Sequence, residues 1–349
     1  MTPPSISVVI CAYADERWDA LVKAVRSVER QEHRAAEIVI AVDHNAALAA
    51  RVRAELPASI VVENRTSRGL SGARNSGISI AHAEVIAFLD DDAVAEPDWL
   101  ACLSEGFNDP SVVGVGGSIE PAWSTGRPAW FPEEFDWVVG CTYRGMPRTT
   151  APIRNLIGAN MAFRREIFDE IGGFRSGIGR VGTLPVGCEE TELCIRIRQR
   201  FPEATLLYEP RARIFHEVPS HRSTWGYYLR RCYAEGRSKT MVAQHVGLSD
   251  GLASERRYTV RTLPAGVLRG LGDLVRHADP LGTARAAAIV VGLATTTAGF
   301  AISQVSDAWT DRPGPGAAPR AFAELEGERL RQIGVAARDG PTVAPIDDR

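Results

Sequence analysis

Three adjacent carboxylates, Asp90, Asp91 and Asp92, follow the apolar run VIAFL and precede the proline-marked step AVAEPDWL. Like charges packed at the end of a buried strand repel one another, so the arrangement is costly unless a cation or hydrogen-bond donors offset it. Asp90 and Asp92 make an Asp-x-Asp pair. Hard oxygen ligands two residues apart at a strand end can point the same way and share one Mg²⁺ or Mn²⁺, which in turn would bridge diphosphate oxygens. The alternative is an acidic loop capping the turn before Glu96-Pro97, since Asp is a common turn residue. Taken alone, the two readings weigh equally.

Further polar groups stand where other apolar runs stop. Asp43 closes EIVIAV in AVDHN, where it can accept hydrogen bonds from a nucleobase or ribose, or start a helix over NAALAARV. GLSGARNSG has no G-x-G-x-x-G and no following G-K-[ST], so the dinucleotide fingerprint and the Walker loop are both absent. Its glycines still allow close backbone approach at a helix N-terminus, where amides and Arg74 can meet phosphate; a tight turn packed on the sheet is the plain alternative. CEETELCIR puts Glu189, Glu190 and Glu192 in the first turn of a helix, where the helix dipole favours acids. A carboxylate raised in pKa by acidic neighbours and burial could instead serve there as a general base. His216 follows RARIF and offers a third metal ligand or a phosphate contact, against the commoner role of a packing residue. Arg230, Arg231, Tyr233, Arg237 and Lys239 could clamp a diphosphate or form a solvated helical face.

The elements that must position these groups alternate over the first hundred residues. ISVVICAY, EIVIAV, SIVVE and EVIAFL are short continuous apolar runs, as strands buried on both faces of a parallel sheet are. Helix-like segments lie between them, so the order β-α-β-α-β-α-β predicts an open, doubly wound α/β sheet. Ligands bind such sheets outside the carboxyl ends of the strands, which puts Tyr13 to Asp15, Asp43 to Asn45 and Asp90 to Asp92 along one rim. From about 112 to 217, VVGVGGSIEPAW, NLIGANMAFRREIFDEIGGF, CEETELCIRIRQRF and EATLLYEPRARIFH continue the same domain as strand, strand-into-helix, helix and last strand.

Beyond Val218 the pattern becomes helical. RTLPAGVLRGLGDLVRHA carries Leu263, Val267, Leu268, Leu271, Leu274 and Val275 on one stripe, suited to a membrane surface or to the protein's own domain. Ala286 to Ser306 is 21 residues without a charge, long enough to span ~30 Å of hydrocarbon but diluted by Ala, Thr and Gly. Membrane contact and a buried helix pair are even alternatives there. The division is then a catalytic domain over 1–240, a helical region over 241–309 that membrane contact would suit, and a disordered tail over 310–349 rich in Pro, Gly and Ala.

The 349 residues are 45% hydrophobic and 24% charged with a net charge of -3. That balance excludes a bulk electrostatic pull toward nucleic acid, so an anionic ligand must be held locally. The six cysteines form no C-x-x-C pair, and with no basic leader at MTPPSISVVI they read as reduced thiols in a cytoplasmic protein.

ICAYAD, AVDHN, GLSGARNSG, FLDDD and CEETELC, in this order, resemble the family 2 glycosyltransferases with the GT-A fold, a Rossmann-like, mostly parallel sheet. The match covers roughly residues 5 to 240. The resemblance implies that Asp43 recognises the base, usually uracil, with Ala12, Tyr13, Asp15, Gly72, Arg74, Asn75, Asp90 and Asp91 around the donor. It implies a divalent metal, Mn²⁺ or Mg²⁺, on Asp90 and Asp92 with His216, and a catalytic base at Glu190 or its neighbour Glu189. Two departures stand out: Glu190 replaces the family's usual Asp, and Cys188 its usual Gly. The segment WFPEEFDWVVGCTYRG and the DHN after the second strand are similar to a subgroup of archaeal glucuronosyltransferases acting on dolichyl-phosphate sugars, with actinobacterial relatives. It carries Trp130, Phe131, Trp137 and Tyr143, as acceptor-facing aromatics or, with equal weight for each, as parts of a hydrophobic flap in the core.

In activity the resemblance implies an inverting, metal-dependent transfer of a hexuronic acid or hexose from a UDP-sugar to a lipid-linked or envelope glycan, at the inner face of the cell membrane. Two other readings stand beside it. A sugar-phosphate nucleotidyltransferase lacks support because its Gly-rich loop at the first strand is missing. A catalytically silent subunit that binds nucleotide sugar without turnover is disfavoured by the intact Asp90, Asp92 and Glu190.

Overall fold

Apolar or small residues fill Ile6–Ala12, and with no polar alternation the segment can only be a strand covered on both faces. It is β1, at the middle of the parallel half of the sheet. The computed structural model describes residues 3–176, 187–246 and 258–310. The tail read as disordered lies, from residue 311 on, outside the described residues. Residues 1–303 form one compact unit, and a second begins at residue 304.

β2 (Glu37–Asp43), β3 (Ile60–Asn64) and β4 (Val85–Asp90) join β1 in parallel, in the order β3-β2-β1-β4. Strand order thus reverses at β1, and β1 and β4 open a crevice at their carboxyl ends. Beyond β4 the sheet turns mixed. β8 (Asn160–Arg164) is antiparallel to β4, followed by β6 (Val112–Trp123), β9 (Thr205–Val218) and the short β5 (Ala93–Ala95), while β7 (Ala151–Pro152) pairs separately with β9. The AVAEP step expected as a turn therefore contains a strand.

Period-two alternation sends successive β1 side chains to opposite faces. Val8 and Ile10 pack with Leu21 and Val25 of α1 (Trp18–Glu29), Leu48 of α2 (Ala46–Glu55) and Trp99 of α4 (Trp99–Gly106). Val9 faces Ile78 of α3 (Leu70–Ile80), with Ile167 and Phe168 of α5 (Arg165–Ile171) and Leu193 of α6 (Glu189–Arg200) in the same cluster. A Cβ at Gly77 would come within 2.4 Å of Val9 Cγ1, so α3 lies close on β1.

The chain continues through α7 (Trp225–Val246), α8 (Leu263–His277) and α9 (Leu281–Thr310). A single helix occupies the segment that could have held a buried helix pair. Tyr228, Leu263, Ala288 and Ile289 belong to the same core cluster as β1, so these helices share the hydrophobic core of the sheet.

Candidate active site

Asp90 ends β4 directly opposite Cys11 of β1. The chain then turns inward, and Arg17 supplies the counter-charge: its Nη2 lies 2.5 Å from Asp91 Oδ1 and 2.6 Å from Asp92 Oδ2. β5 follows at once and pairs Ala93 with His216 of β9, which sets His216 Nε2 3.2 Å from Asp92 Oδ1. Burial opposes ionisation of Asp92, but His216 and Arg17 outweigh it and hold the carboxyl well below the usual range. Burial pushes the Asp91 carboxyl up, to about 8, against the Arg17 guanidinium.

One ligand atom each from Asp90, Asp92 and His216 falls within 4.8 Å of the others. Two carboxylates and an imidazole are a donor set that fits a divalent cation, and the buried Asp91 Oδ2 beside them has no hydrogen-bond partner among the described residues.

A cleft of about 650 Å³ opens in front of these groups, lined by Ala12, Tyr13, Asp43 and all three aspartates on the sheet side and by Arg230 and Arg231 of α7 opposite. Asp43 is held by three donors: Asn64 Nδ2 at 2.6 Å and His44 Nδ1 at 2.9 Å on Oδ1, and the Gly69 amide at 2.9 Å on Oδ2. That network fixes its carboxylate at the rim and ties the loop before α3 to the end of β2.

A second cavity, of about 420 Å³, lies on the other side of Asp90 and shares Asp90, Leu70 and Arg231 with the first. Arg74 is buried between them, donating to Glu189 Oε1 at 2.8 Å and to the Gly158 carbonyl at 3.1 Å, with Asp90 Oδ1 at 3.8 Å. Glu190 is half-buried in the cavity wall. Burial, with Glu189 adding to it and Arg74 opposing, pushes the Glu190 carboxyl up to about 8. Cys188, in the place of the expected Gly, starts α6 from the left-handed region at φ 75°, a conformation that favours glycine.

The structure brings Ala12, Tyr13, Asp43, Asp90, Asp91, Asp92, His216, Arg74, Glu189 and Glu190 to the two cavities. Three other candidates sit outside the donor cleft. Asp15 accepts from Asn45 Nδ2 at 2.9 Å. Gly72 closes on the Ser67 carbonyl, 1.8 Å from where a Cβ would stand. Asn75 is engaged at both ends by Phe174, donating to its carbonyl and accepting from its amide at 2.8 Å each. Of the aromatic candidates, Trp137 and Tyr143 line the second cavity. Trp130 stacks on Trp225 at 4.1 Å between centroids, and Phe131 is buried in the core. Sequence reasoning missed Arg17, Arg68, Arg222 and Tyr227 in the first cleft. Only the placement of Arg17 one turn beyond the β1 end could have flagged it.

A parallel half-sheet extended by antiparallel strands, with an Asp-x-Asp at the carboxyl end of β4 and an acidic helix start behind it, is the GT-A glycosyltransferase fold. The chain belongs to glycosyl transferase family 2, whose model matches residues 7–172, and it is a glycosyltransferase enzyme. It is similar to the glucosyl-dolichyl phosphate glucuronosyltransferase of Haloferax volcanii, 36% identical over 241 residues, which cover 68% of this chain and 77% of that one. It is also similar to the succinoglycan biosynthesis protein ExoM of Rhizobium meliloti, 24% identical over 242 residues covering 67% and 73%. Among solved structures, the mannosyltransferase PcManGT from Pyrobaculum calidifontis, in complex with GDP-Man and Mn²⁺, matches with a TM-score of 0.54 at 16% identity over 85% of this chain and 88% of that one.

Proposed function

We propose that the protein transfers a hexuronic acid or hexose from a UDP-sugar to a hydroxyl of a lipid-linked glycan, with inversion at the anomeric carbon. The observation that carries this reading is the pair of cavities meeting at Asp90, one lined by Asp90 and Asp92 and the other by Glu190, with His216 of the cation-fitting set on the second side. The Haloferax relative, named for a glucuronosyl transfer to glucosyl-dolichyl phosphate, supports both the sugar class and the acceptor class.

In the first cleft Asp43 accepts from the base, while Ala12 and Tyr13 flank it and leave the diphosphate toward Arg230 and Arg231. Asp90, Asp92 and His216 would hold a divalent cation, Mn²⁺ or Mg²⁺, which when bound neutralises charge on the departing diphosphate. In the second cavity the ionised Glu190 takes the proton of the acceptor hydroxyl. The hydroxyl oxygen forms the new bond to the anomeric carbon as the bond to the diphosphate oxygen breaks, and the electron pair leaves with the nucleoside diphosphate. Arg74 fixes Glu189 in an ion pair, which leaves Glu190 as the carboxylate of the two that is without a cation against it at hydrogen-bond distance among the described residues. The six free cysteines support a cytoplasmic site, and the dolichyl-phosphate acceptor in the Haloferax relative's name supports one close to a membrane.

The test is thermal stabilisation of the purified protein by UDP-glucuronate, UDP-glucose, UDP-galactose and GDP-mannose, each with and without Mn²⁺. A ligand at about 100 times its Kd adds about 2.7 kcal/mol to the folded state. One Mn²⁺-dependent shift with a UDP-sugar is the expected result. A shift with GDP-mannose alone would overturn the UDP assignment, and binding without transfer to any lipid-linked acceptor would favour the silent subunit.

A further inference from the structure

α8 is turned inside out relative to a helix of a water-soluble surface. At 3.6 residues per turn, Leu263, Gly266 and Gly270 share one face and Leu268, Leu271 and Val275 another. The glycine face is the buried one: a Cβ at Gly270 would meet the Gly282 carbonyl at 2.4 Å, and one at Gly266 would meet Ile289 at 2.7 Å. The leucine face is open, with Leu268 70% exposed, Leu271 45%, Leu274 41% and Val275 83%. Arg276 lies on one flank of this stripe and Arg261 stands before its first turn, both exposed, while Arg269 on the same flank is turned to the catalytic body, its Nη2 2.7 Å from Glu134 Oε1.

α9 is long and apolar enough over Leu281–Gln304 to cross a membrane by length and composition, with 33% of that window buried. It is nevertheless seated on the catalytic body. Tyr228 Oη donates to the Ala288 carbonyl at 2.8 Å, Thr240 Oγ1 to the Phe300 carbonyl at 3.4 Å, and Gly292 and Gly299 bring the helix onto Tyr228 and Tyr233 too closely for a Cβ. From Ala288 to Phe300 that seam follows about 18 Å of helix. A spanning helix would have to leave it.

From this we infer that the protein docks on the surface of an anionic lipid bilayer through the outer face of α8, which lies in the plane of the interface while α9 stays on the catalytic body and does not span. Apolar side chains flanked by arginines match the layering of acyl chains beneath anionic headgroups. A bilayer, and not a second protein, is favoured by nearness: the inner face of α8, through Leu263, and Leu293, Thr296 and Phe300 of α9 wall the cavity that holds Glu190, so α8 stands between that cavity and its own outer apolar stripe. A lipid-linked acceptor in the interface would then lie one helix away from that cavity. The argument from nearness rests on the acceptor reading proposed above, whereas the apolar stripe does not.

Co-sedimentation of the full chain with phosphatidylcholine vesicles, with and without phosphatidylglycerol, tests the docking without any turnover. Wild type is expected to bind the anionic vesicles several-fold better than the neutral ones. The triple variant Leu268→Asp/Leu271→Asp/Val275→Asp should lose at least tenfold in binding while keeping its donor-induced thermal shift. Should the triple variant not fold, Val275→Asp alone, at the most exposed position, is expected to weaken binding, and Arg276→Glu to weaken the anionic preference. Wild type that stays in the supernatant with both vesicles, or variants that bind as wild type does, would overturn the inference. So would a wild-type dimer that the triple variant dissolves. Failure here with an intact donor shift would leave the glycosyltransferase reading untouched.

Discussion

Arg17 lies between Asp91 and Asp92, at 2.5 and 2.6 Å, and removing it leaves two buried carboxylates without their nearest cation. Arg17→Met should therefore lose about 3 kcal/mol in urea unfolding, and less in saturating Mn²⁺ if a cation at Asp92 replaces the missing charge. An equal loss with and without Mn²⁺ would count against the proposed metal position. For Glu190 the sign follows from the raised pKa. A base must be ionised, so kcat/KM should climb as pH rises toward about 8, and Glu190→Gln should lose about 100-fold or more in kcat with the donor-induced thermal shift retained. Stability runs the other way. The unfolded carboxyl ionises from its ordinary 4.5 while the folded one resists until about 8, so folding is penalised increasingly across that window. Glu190→Gln should melt above wild type, with the gap opening between those two pH values. At this scale the sequence makes Asp43, Asp90, Asp92 and Glu190 legible because residue type and position after a strand or at a helix start carry the signal. Arg17 is hidden because its partners depend on the β1–β4 register, and Asn75 misleads because Phe174 occupies both ends of its amide.

The smallest strand positions the third member of the metal-fitting set. β5 has three residues, and its pairing with β9 is what places His216 against Asp92. A three-residue strand between Asp92 and Glu96-Pro97 has the surroundings of a turn, so no local pattern reveals it; the long run of β9 supplies the pairing. The loop before α3 shows the same dependence of a site on a backbone contact. A methyl group at Gly72 would stand 1.8 Å from the Ser67 carbonyl oxygen, and backbone on backbone has no rotamer to yield. Gly72→Ala should cost about 2–3 kcal/mol and weaken donor binding as well, because the displaced loop carries the Gly69 amide that Asp43 accepts. A variant with wild-type melting and wild-type donor affinity would show the loop to be more pliant than its packing implies. The glycines of GLSGARNSG are readable in the sequence, and their work is packing: Gly77 on Val9 and Gly72 on Ser67.

Across residues 1–303 the β1 cluster runs without interruption into Tyr228, Leu263 and Ile289. Urea unfolding followed by tryptophan fluorescence and by far-ultraviolet dichroism is expected to give one coincident transition; two separated transitions would mean that the C-terminal helices melt as a unit of their own. The parallel half-sheet is legible in the sequence because four continuous apolar runs have few other places to go. The mixed half is less so, since neither the continuous β6 and β8 nor the alternating second half of β9 says which way a strand runs beside its neighbours. The outward leucines of α8 are visible as a stripe, but periodicity alone does not say which side of the helix the rest of the protein takes.

A loaded enzyme waiting for its acceptor also has to keep water from intercepting the sugar. The Glu190 carboxyl is pushed up to about 8, so in the proposed role the base is withheld at neutrality from a stray water molecule and from the acceptor hydroxyl alike, and both rates fall together. The ratio of hydrolysis to transfer should then stay level as the pH rises through about 8, and preference for the acceptor must come from the walls of the second cavity.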